Sequence, residues 1–188
     1  MKKVLILGAG LSSTSLIQYM LENARTYDWQ VRLGDISLDL ARKKIGNNPR
    51  GEALFFNIDN SGQREEEIRG CDLVISMLPA RFHGLVAKEC VRFGVNMITA
   101  SYVSPAIQEL DNAAKEKNVL LMNEAGVDPG LDHMSAMQII HRLREEGDRL
   151  IAFESATGGL VAPNYDNNPW RYKFTWAPRN VVLAGVGG

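Results

Sequence analysis

Short apolar runs alternate with amphipathic segments along about the first 125 residues of the chain. The six apolar runs cover residues 4–7, 31–33, 53–56, 73–77, 95–99 and 119–122. Strands of a parallel sheet that is covered on both faces form continuous apolar runs of this kind. In the segments between them, such as 16–21 and 85–91, apolar residues return every three or four positions, as on the inner side of a surface helix. The pattern therefore predicts an α/β fold with a doubly wound parallel sheet.

The pattern changes after residue 128. Residues 131–143 fit one amphipathic helix, residues 150–157 fit a strand that ends at Gly158-Gly159, and a loop-like stretch leads to a last apolar run at 181–186. We therefore predict a first domain over residues 1–127 and the beginning of a second, α+β domain over 128–188. Because the last apolar run is followed almost at once by the end of the sequence, we expect this second domain to be truncated.

The first apolar run leads directly into a glycine-rich turn with the pattern G-x-G-x-x-S. The first glycine permits a tight turn, and the second lets backbone approach a pyrophosphate at the start of the following helix. Serine at the third position is small enough for close packing of strand and helix. The turn predicts a Rossmann-type dinucleotide-binding domain, with a structural turn or another nucleotide-type ligand as the alternative. Its candidate cofactor-binding residues are Gly8, Ala9, Gly10, Leu11, Ser12 and Ser13.

An acidic residue, Asp35, ends the second strand about 25 residues after the glycine turn. A carboxylate at this point can bind both ribose hydroxyls of NAD, but it repels the 2′-phosphate of NADP. The cofactor is therefore predicted to be NAD or NADP, with Asp35 favouring NAD. The alternative role of Asp35 is a helix N-cap, for which Ser37 competes. Arg32 is near, but its side chain faces the opposite way from Leu33 and need not reach the ribose.

Further candidates follow the later strands, where ligands of an open α/β sheet collect. Ile58 and Asp59 either border the adenine or form a turn, and Leu78 lies where backbone commonly passes the cofactor. Ser101 and Tyr102 follow the fifth strand and supply two hydroxyls near the expected nicotinamide. For Tyr102, a substrate contact is favoured over a packed surface aromatic.

The segment NEAGVDPGLDHMSA, residues 123–136, joins the sixth strand to the next helix and carries three acids and a histidine. A metal site is not expected, because Asp132 and His133 should point in different directions on the helix and one further carboxylate does not complete a site. The loop is instead placed to close over nicotinamide and substrate. Asp128 is the candidate catalytic residue, with a turn at Asp128-Pro129 as the alternative, and the two roles are compatible.

The histidines and cysteines do not indicate a metal centre or a disulfide framework. His83 and His141 are interpreted as surface or helix-cap groups. Cys71 and Cys90 lie in apolar or helix-like surroundings without metal-type spacing, which favours buried, reduced thiols in a cytoplasmic protein.

The charge balance bears on possible partners. The chain has 21 Lys and Arg against 22 Asp and Glu, so no long-range field favours a polyanion. The N-terminal apolar run is too short for a signal segment or a membrane span. We expect no nucleic-acid and no membrane partner.

Several motifs, taken in order, resemble one known family. They are LILGAG, VISMLPARFH, TASYVSPAIQEL, NEAGVDPGLDHMSA and TGGLVAPNYDNNPWRYKFTWAPRNVVLAG. Together they are similar to the N-terminal part of the saccharopine dehydrogenase family, in its glutamate-forming, saccharopine reductase-like branch. The resemblance implies an NAD(P)-dependent oxidoreductase of amino-acid metabolism that acts on the CH–NH bond of a saccharopine-like secondary amine. Hydride would pass between the cofactor and an imine of a semialdehyde and an amino acid, which in the named enzymes are aminoadipate semialdehyde and glutamate.

The resemblance also implies roles for individual residues. Ser101, Tyr102 and Asp128 match substrate-contacting positions, and we take Tyr102 and Asp128 as the candidate catalytic pair. NADP-using members place an arginine-containing segment where this chain has Gly34-Asp35-Ile36-Ser37, which again favours NAD. The cofactor-contacting positions match Ala9, Gly10, Leu11, Ser12, Asp35, Ile36, Ser37, Ile58, Asp59, Leu78, Ala100, Ser101, Val127, Asp128, Pro129 and Ser155.

Two other functions remain open at this stage. One is a regulatory Rossmann module that binds NAD without turnover, and the other is a carboxyspermidine-type dehydrogenase with a different amine partner. The 188-residue chain is expected to be inactive by itself, because further substrate contacts of the family fall later in the second domain. The apolar and aromatic segment NPWRYKFTW would need cover, so a homodimer through the second domain is expected.

Overall fold

The computed structural model describes residues 1–156, 159 and 161–173, and their main feature is a six-stranded sheet. All neighbouring strands are parallel and stand in the order β3-β2-β1-β4-β5-β6. Each of the six predicted strands is present, so the predicted doubly wound sheet is confirmed. The strands are β1 (Lys2–Leu7), β2 (Trp29–Asp35), β3 (Gly51–Phe55), β4 (Leu73–Ser76), β5 (Asn96–Thr99) and β6 (Leu121–Met122).

The helices connect these strands, and the predicted helical segments at 16–21, 85–91 and 131–143 fall within α1, α4 and α7. Within the described residues, none of the helices is long and apolar enough to cross a membrane. The helices are α1 (Thr14–Asn23), α2 (Leu38–Ile45), α3 (Ser61–Arg69), α4 (His83–Phe93), α5 (Pro105–Gln108), α6 (Asp111–Glu116) and α7 (Leu131–Glu145).

Strand β1 lies between two apolar layers, which explains the unbroken apolar run over its last four residues, 4–7. Val4 and Ile6 pack in a cluster with residues of α1 and α2. Leu5 and Leu7 point to the other face and pack in a cluster with residues of α3 and α4. Side chains alternate between the faces of a strand, so helices on both faces require apolar residues at consecutive positions.

The strand order places the site. The chain adds β2 and β3 on one side of β1 and then crosses to β4, β5 and β6 on the other. Because the strands are parallel, all their carboxyl ends lie along one edge, and the crevice forms where the order reverses, between β1 and β4. The residues that follow these six strands are therefore the ones that a ligand in the crevice would meet.

The chain divides into two compact units, Met1–Asp148 and Arg149–Gly188, each described by itself. The predicted strand at 150–157 is wrong for its described residues, since 150–156 form no strand. A strand needs a hydrogen-bonded neighbour, and the described residues provide none for this segment. The apolar run at 181–186 falls outside the described residues, and the boundary at 127/128 stays a prediction.

Both cysteines are buried, and neither forms a disulfide in the described part of the chain, as predicted. Burial raises the pKa of Cys71 to about 12 and also raises that of Cys90. The two thiols are therefore protonated at neutral pH and chemically inert.

Candidate functional site

The middle residues of the glycine turn after β1 are exposed to solvent. Gly10, Leu11 and Ser12 are exposed, whereas Ala9 and Ser13 beside them are fully buried. The Ser13 hydroxyl donates to the carbonyl oxygen of Gly10 at 2.9 Å. Among the described residues other than Gly10 and its two chain neighbours, no heavy atom lies within 4 Å of the position that a Cβ on Gly10 would take. A pyrophosphate can therefore approach the backbone at Gly10, at the start of the helical segment.

Gly8 makes the tight turn itself. Its φ of +104° is a conformation that side chains disfavour, and a Cβ there would lie 2.8 Å from the carbonyl oxygen of Met77. Its N–H donates to the carbonyl oxygen of Gly34 at 2.8 Å. The backbone nitrogen of Leu78 lies 3.3 Å from the same Cβ position. The ends of β1, β2 and β4 thus meet at Gly8, and the backbone of Leu78 passes beside the turn.

Asp35 ties the end of β2 to the glycine turn. Its carboxylate accepts the N–H of Ala9 at 2.7 Å and the N–H of Ser37 at 2.8 Å. The Ser37 hydroxyl in turn accepts the N–H of Leu40 at 3.3 Å, so Ser37 is the N-cap of α2. The helix-cap role considered for Asp35 therefore belongs to Ser37. The neighbouring Ile36 is 70% exposed beside this turn.

Lys44 is a residue of this region that the sequence reasoning missed. From the last turn of α2 its ammonium group donates to the carbonyl oxygen of Gly10 and to the hydroxyl of Thr14 at 2.9 Å. Desolvation lowers the pKa of Lys44, and the nearby charge of Asp35 opposes that shift. The spacing could have indicated it, because Lys44 lies seven residues after the N-cap Ser37 and so on the same side of the helix.

Two other groups near β2 and β3 are held in structural contacts. Arg32 forms ion pairs with Glu52 and Glu67, in agreement with the prediction that it need not reach the ribose. The turn interpretation of the segment after β3 is confirmed by a hydrogen bond from the N–H of Asn60 to the carbonyl oxygen of Asn57, at 3.0 Å.

Within that turn, the side chain of Ile58 is buried in the core. It can therefore meet a ligand only through its backbone. Asp59 is exposed, and its N–H donates to the Asn57 side chain at 3.0 Å.

His83 contradicts the sequence interpretation, which made it a surface or cap group. It is the first residue of α4, yet only 2% of its surface is exposed. Its Nδ1 lies 2.9 Å from the hydroxyl oxygen of Ser76, and its Nε2 lies 2.8 Å from that of Ser101 and 3.3 Å from that of Thr99. The start of α4 faces the carboxyl ends of β4 and β5, so a residue at the helix entrance becomes buried.

Burial makes His83 a pH-sensitive element of stability. It lowers the pKa of His83 from 6.5 to about 4. Between these values the unfolded chain binds more protons than the folded chain. The free energy of unfolding that depends on neutral, buried His83 is therefore fully present above pH 6.5, and it is lost as the pH falls towards 4. At pH 5 the loss should be about 2 kcal/mol. Urea unfolding of the chain and of His83→Gln at pH 7 and pH 5 measures it. If both proteins lose the same free energy of unfolding, His83 is not the group responsible.

The loop after β6 is held against the end of β5. The N–H of Glu124 donates to the carbonyl oxygen of Ser101 at 3.0 Å, and that of Ala125 to the carbonyl oxygen of Thr99 at 3.1 Å. The loop then closes on itself, since the N–H of Gly126 donates to the carbonyl oxygen of Pro129 at 3.0 Å. The Asp128-Pro129 peptide is cis. Asp128 thus lies on a defined turn in the loop that is held against the end of β5, and both of its predicted roles remain compatible.

The prediction that Asp132 and His133 point in different directions is wrong, because their side chains are in contact. The Asp132 carboxylate accepts a hydrogen bond from the backbone N–H of Gly130 at 3.0 Å, and it lies 2.7 Å from Nδ1 of His133. The flexible side chains meet across adjacent positions at the first turn of α7. Their contact raises the pKa of His133. Among the described residues, no group of three or more His, Cys, Asp or Glu side chains could hold a metal ion.

Tyr102 stands exposed among acidic groups. Its ring is 61% exposed at the end of β5. Desolvation raises the pKa of Tyr102, and the carboxylates of Asp128, Asp132 and Glu124 raise it further. Its hydroxyl is therefore protonated at neutral pH and can donate a hydrogen bond to a ligand. The predicted pair Tyr102 and Asp128 is close enough to interact electrostatically.

Apart from Ile58, Asp59, Leu78 and Ser155, the predicted residues fall into two groups along one sheet edge. The glycine turn and Asp35 stand at the ends of β1 and β2, while Ala100, Ser101, Tyr102, Val127, Asp128 and Pro129 stand beyond β5 and β6. Ser155 belongs to the separate unit Arg149–Gly188, so its assignment to the cofactor site stays a prediction.

Parallel strands in this order, with a glycine turn open at Gly10 and an acid at the end of β2, define an NAD(P)-binding domain of Rossmann type. Two family descriptions match the chain: the saccharopine dehydrogenase NADP binding domain over residues 4–122, and the saccharopine dehydrogenase C-terminal domain over 126–188. The chain belongs to the saccharopine dehydrogenase family, as its motifs indicated.

Individual relatives agree with this assignment. The chain is 35% identical to the NADP(+)-dependent, L-glutamate-forming saccharopine dehydrogenase of Pyricularia oryzae, over 97% of its own length and 40% of that protein. It is 39% identical to the mitochondrial alpha-aminoadipic semialdehyde synthase of Bos taurus, over 97% of its length and 19% of that protein. The apo structure of the L-glutamate-forming enzyme from Saccharomyces cerevisiae is 34% identical, with a TM-score of 0.86 over 98% of this chain and 40% of the yeast chain.

Proposed function

We propose that the chain supplies the cofactor site and part of the substrate site of an oxidoreductase acting on the CH–NH bond of a saccharopine-like secondary amine. The observation that carries the proposal is the convergence of Ser101, Tyr102 and the Asp128 turn on the sheet edge that also bears the glycine turn. The substrates we propose are a semialdehyde and an amino acid. The similarity to L-glutamate-forming enzymes supports this pair.

The residues of the chain fit a dinucleotide. Gly10 is open on the side that a pyrophosphate would take. When bound, the nicotinamide supplies or accepts the hydride. Asp128 would stabilise the cationic imine and orient the amine, because a carboxylate beside a developing positive charge lowers its energy. Tyr102 would donate a hydrogen bond from its hydroxyl to a substrate oxygen or nitrogen.

Cofactor choice is a finer proposal. We propose NAD, because Asp35 would meet the 2′-phosphate of NADP with a like charge. The NADP(+)-dependent relatives favour the opposite choice, and Lys44 brings one positive charge close to the same region. Asp35 ends β2, where this fold binds the ribose, whereas Lys44 contacts the carbonyl oxygen of Gly10, so we propose that the charge of Asp35 decides the choice.

The chain spans about 40% of the fungal relatives, so activity is best tested on the protein at the length its natural gene encodes. NADH oxidation that requires both a semialdehyde and an amino acid is the expected result. Cofactor binding with no turnover on any such pair would favour the regulatory module. Turnover that requires a polyamine instead of an amino acid would favour the carboxyspermidine-type enzyme.

Assembly and location follow as lesser proposals. We propose a homodimer through the second domain. Apolar side chains that are exposed in the described part of the unit Arg149–Gly188, including Ile151, Phe153 and Trp170, support it. Sedimentation equilibrium would detect it.

The two buried thiols suit a cytoplasmic protein, whereas the bovine relative is described as mitochondrial.

A further inference from the structure

A buried chain of polar groups connects the ends of β4 and β5. His83, Ser76 and Thr99 are each no more than 2% exposed, whereas Ser101 is half-buried. The imidazole lies between Ser76 on one side and Ser101 and Thr99 on the other, at 2.8 to 3.3 Å. Of these four residues, Ser101 is therefore the one through which the buried polar groups can contact a ligand in the crevice.

Two buried neighbours, His83 and Thr99, hold Ser101 in place. A neutral imidazole has one donor and one acceptor nitrogen, and each hydroxyl can take either role. The three side chains around the ring carry no charge, so hydrogen bonds alone orient it. Thr99 adds a second constraint, because its hydroxyl oxygen accepts the backbone N–H of Ser101 at 3.3 Å. Both the backbone and the side chain of Ser101 are thus tied to one buried centre.

We propose that His83 is a positioning residue, which holds the Ser101 hydroxyl in the orientation that binds the nicotinamide end of the dinucleotide. The inference rests on the proposed function. In this fold the adenosine half lies over the ends of β1 to β3 and the nicotinamide half over those of β4 to β6. Ser101 follows β5, so it meets the nicotinamide half. His83 touches no ligand itself, since both ring nitrogens are engaged and the side chain is buried.

The substitution pair His83→Asn and His83→Gln separates the two ends of the imidazole. The amide of asparagine reaches about as far as Nδ1, so it can keep the contact with Ser76 and loses the one with Ser101. The longer glutamine amide reaches about as far as Nε2 and can keep the contact with Ser101. His83→Asn should therefore weaken NADH binding about five- to tenfold, and His83→Gln should restore most of that affinity.

ADP-ribose is the control ligand, because it contains the adenosine and pyrophosphate parts of NADH without the nicotinamide. Its affinity should change less than about twofold in either variant. The titrations use the chain itself, with NADH fluorescence for one ligand and calorimetry for the other. In a Ser101→Ala background, His83→Asn should cost no further NADH affinity, since the positioned hydroxyl is already gone.

The outcomes are distinct. An equal loss of NADH and ADP-ribose affinity, or an additive loss in the double variant, would make His83 merely structural and overturn the inference. If His83→Asn does not fold, Ser76→Ala frees the other end of the ring, and it should lower NADH affinity while leaving ADP-ribose affinity unchanged. A chain that binds neither ligand would instead overturn the proposed function, and this inference with it.

Discussion

Replacing Gly10 by alanine should weaken dinucleotide binding at least about tenfold, since a methyl group there would occupy the side from which the pyrophosphate approaches the backbone. The same change should leave the fold intact. Gly10 has φ −65° and ψ 178°, which alanine adopts freely, and no heavy atom of the other described residues, chain neighbours apart, lies within 4 Å of the new Cβ. The free energy of unfolding should stay constant or rise by up to about 1 kcal/mol, because alanine restricts the unfolded chain.

Gly8→Ala is the matched contrast two positions earlier. Its Cβ would meet the Met77 carbonyl oxygen at 2.8 Å, and its φ of +104° disfavours a side chain. We expect a loss of about 2–4 kcal/mol in the free energy of unfolding, from backbone strain together with overpacking. Urea unfolding combined with NADH and NADPH titration measures both variants. A Gly10→Ala protein that binds either dinucleotide as tightly as the parent would move the pyrophosphate away from this turn.

Asp35→Ala should lower NADH affinity about ten- to a hundredfold and leave NADPH affinity equal or higher. The carboxylate is the group expected to accept the ribose hydroxyls, and the net loss of one charge-assisted hydrogen bond of this kind, about 1.5–3 kcal/mol, corresponds to that range. Its removal also relieves repulsion of a 2′-phosphate. The informative quantity is the ratio of the two dissociation constants, obtained by fluorescence titration. An unchanged ratio would remove Asp35 from the ribose site.

A stability effect accompanies this change and needs its own control. Asp35 accepts the N–H groups of Ala9 and Ser37, and Ala9 is fully buried. Alanine leaves these donors without their acceptor, at a cost of about 1–3 kcal/mol. Asp35→Asn keeps one side-chain carbonyl oxygen and removes the charge. It should recover part of the stability while retaining most of the shift towards NADPH, which separates the structural role of Asp35 from its electrostatic one.

The strands show how much of the secondary structure the local sequence pattern can predict. β1 was predicted from a run of apolar residues, and it is apolar at consecutive positions because helices cover both of its faces. The segment at 150–157 also contains an apolar run, at 150–153, yet its described residues form no strand. Composition records the tendency of a segment to be buried, but a strand also requires a neighbour, which the local sequence does not specify.

His83 and Lys44 illustrate the same limit within the site. A histidine at a helix entrance is an ordinary surface residue unless the entrance faces a sheet edge, and only the packing of α4 against β4 and β5 makes it buried. Lys44 reaches the glycine turn because α2 packs beside α1. Lys44 and Gly10, like His83 and Ser101, are far apart in the sequence, so periodicity could place Lys44 on one face of α2 but could not reveal the partner of either side chain.

The sequence alone determined the alternation of strands and helices, the glycine turn, the acid at the end of β2 and the family, since each of these depends on residue types at short spacing. The tertiary structure decided which side chains meet: Asp35 with the N–H of Ala9, Lys44 with the carbonyl of Gly10, and His83 with Ser101. These partners are 18 to 34 positions apart. Their contact follows from the order in which parallel strands bring their carboxyl ends to one edge, and that order is a property of the packed sheet.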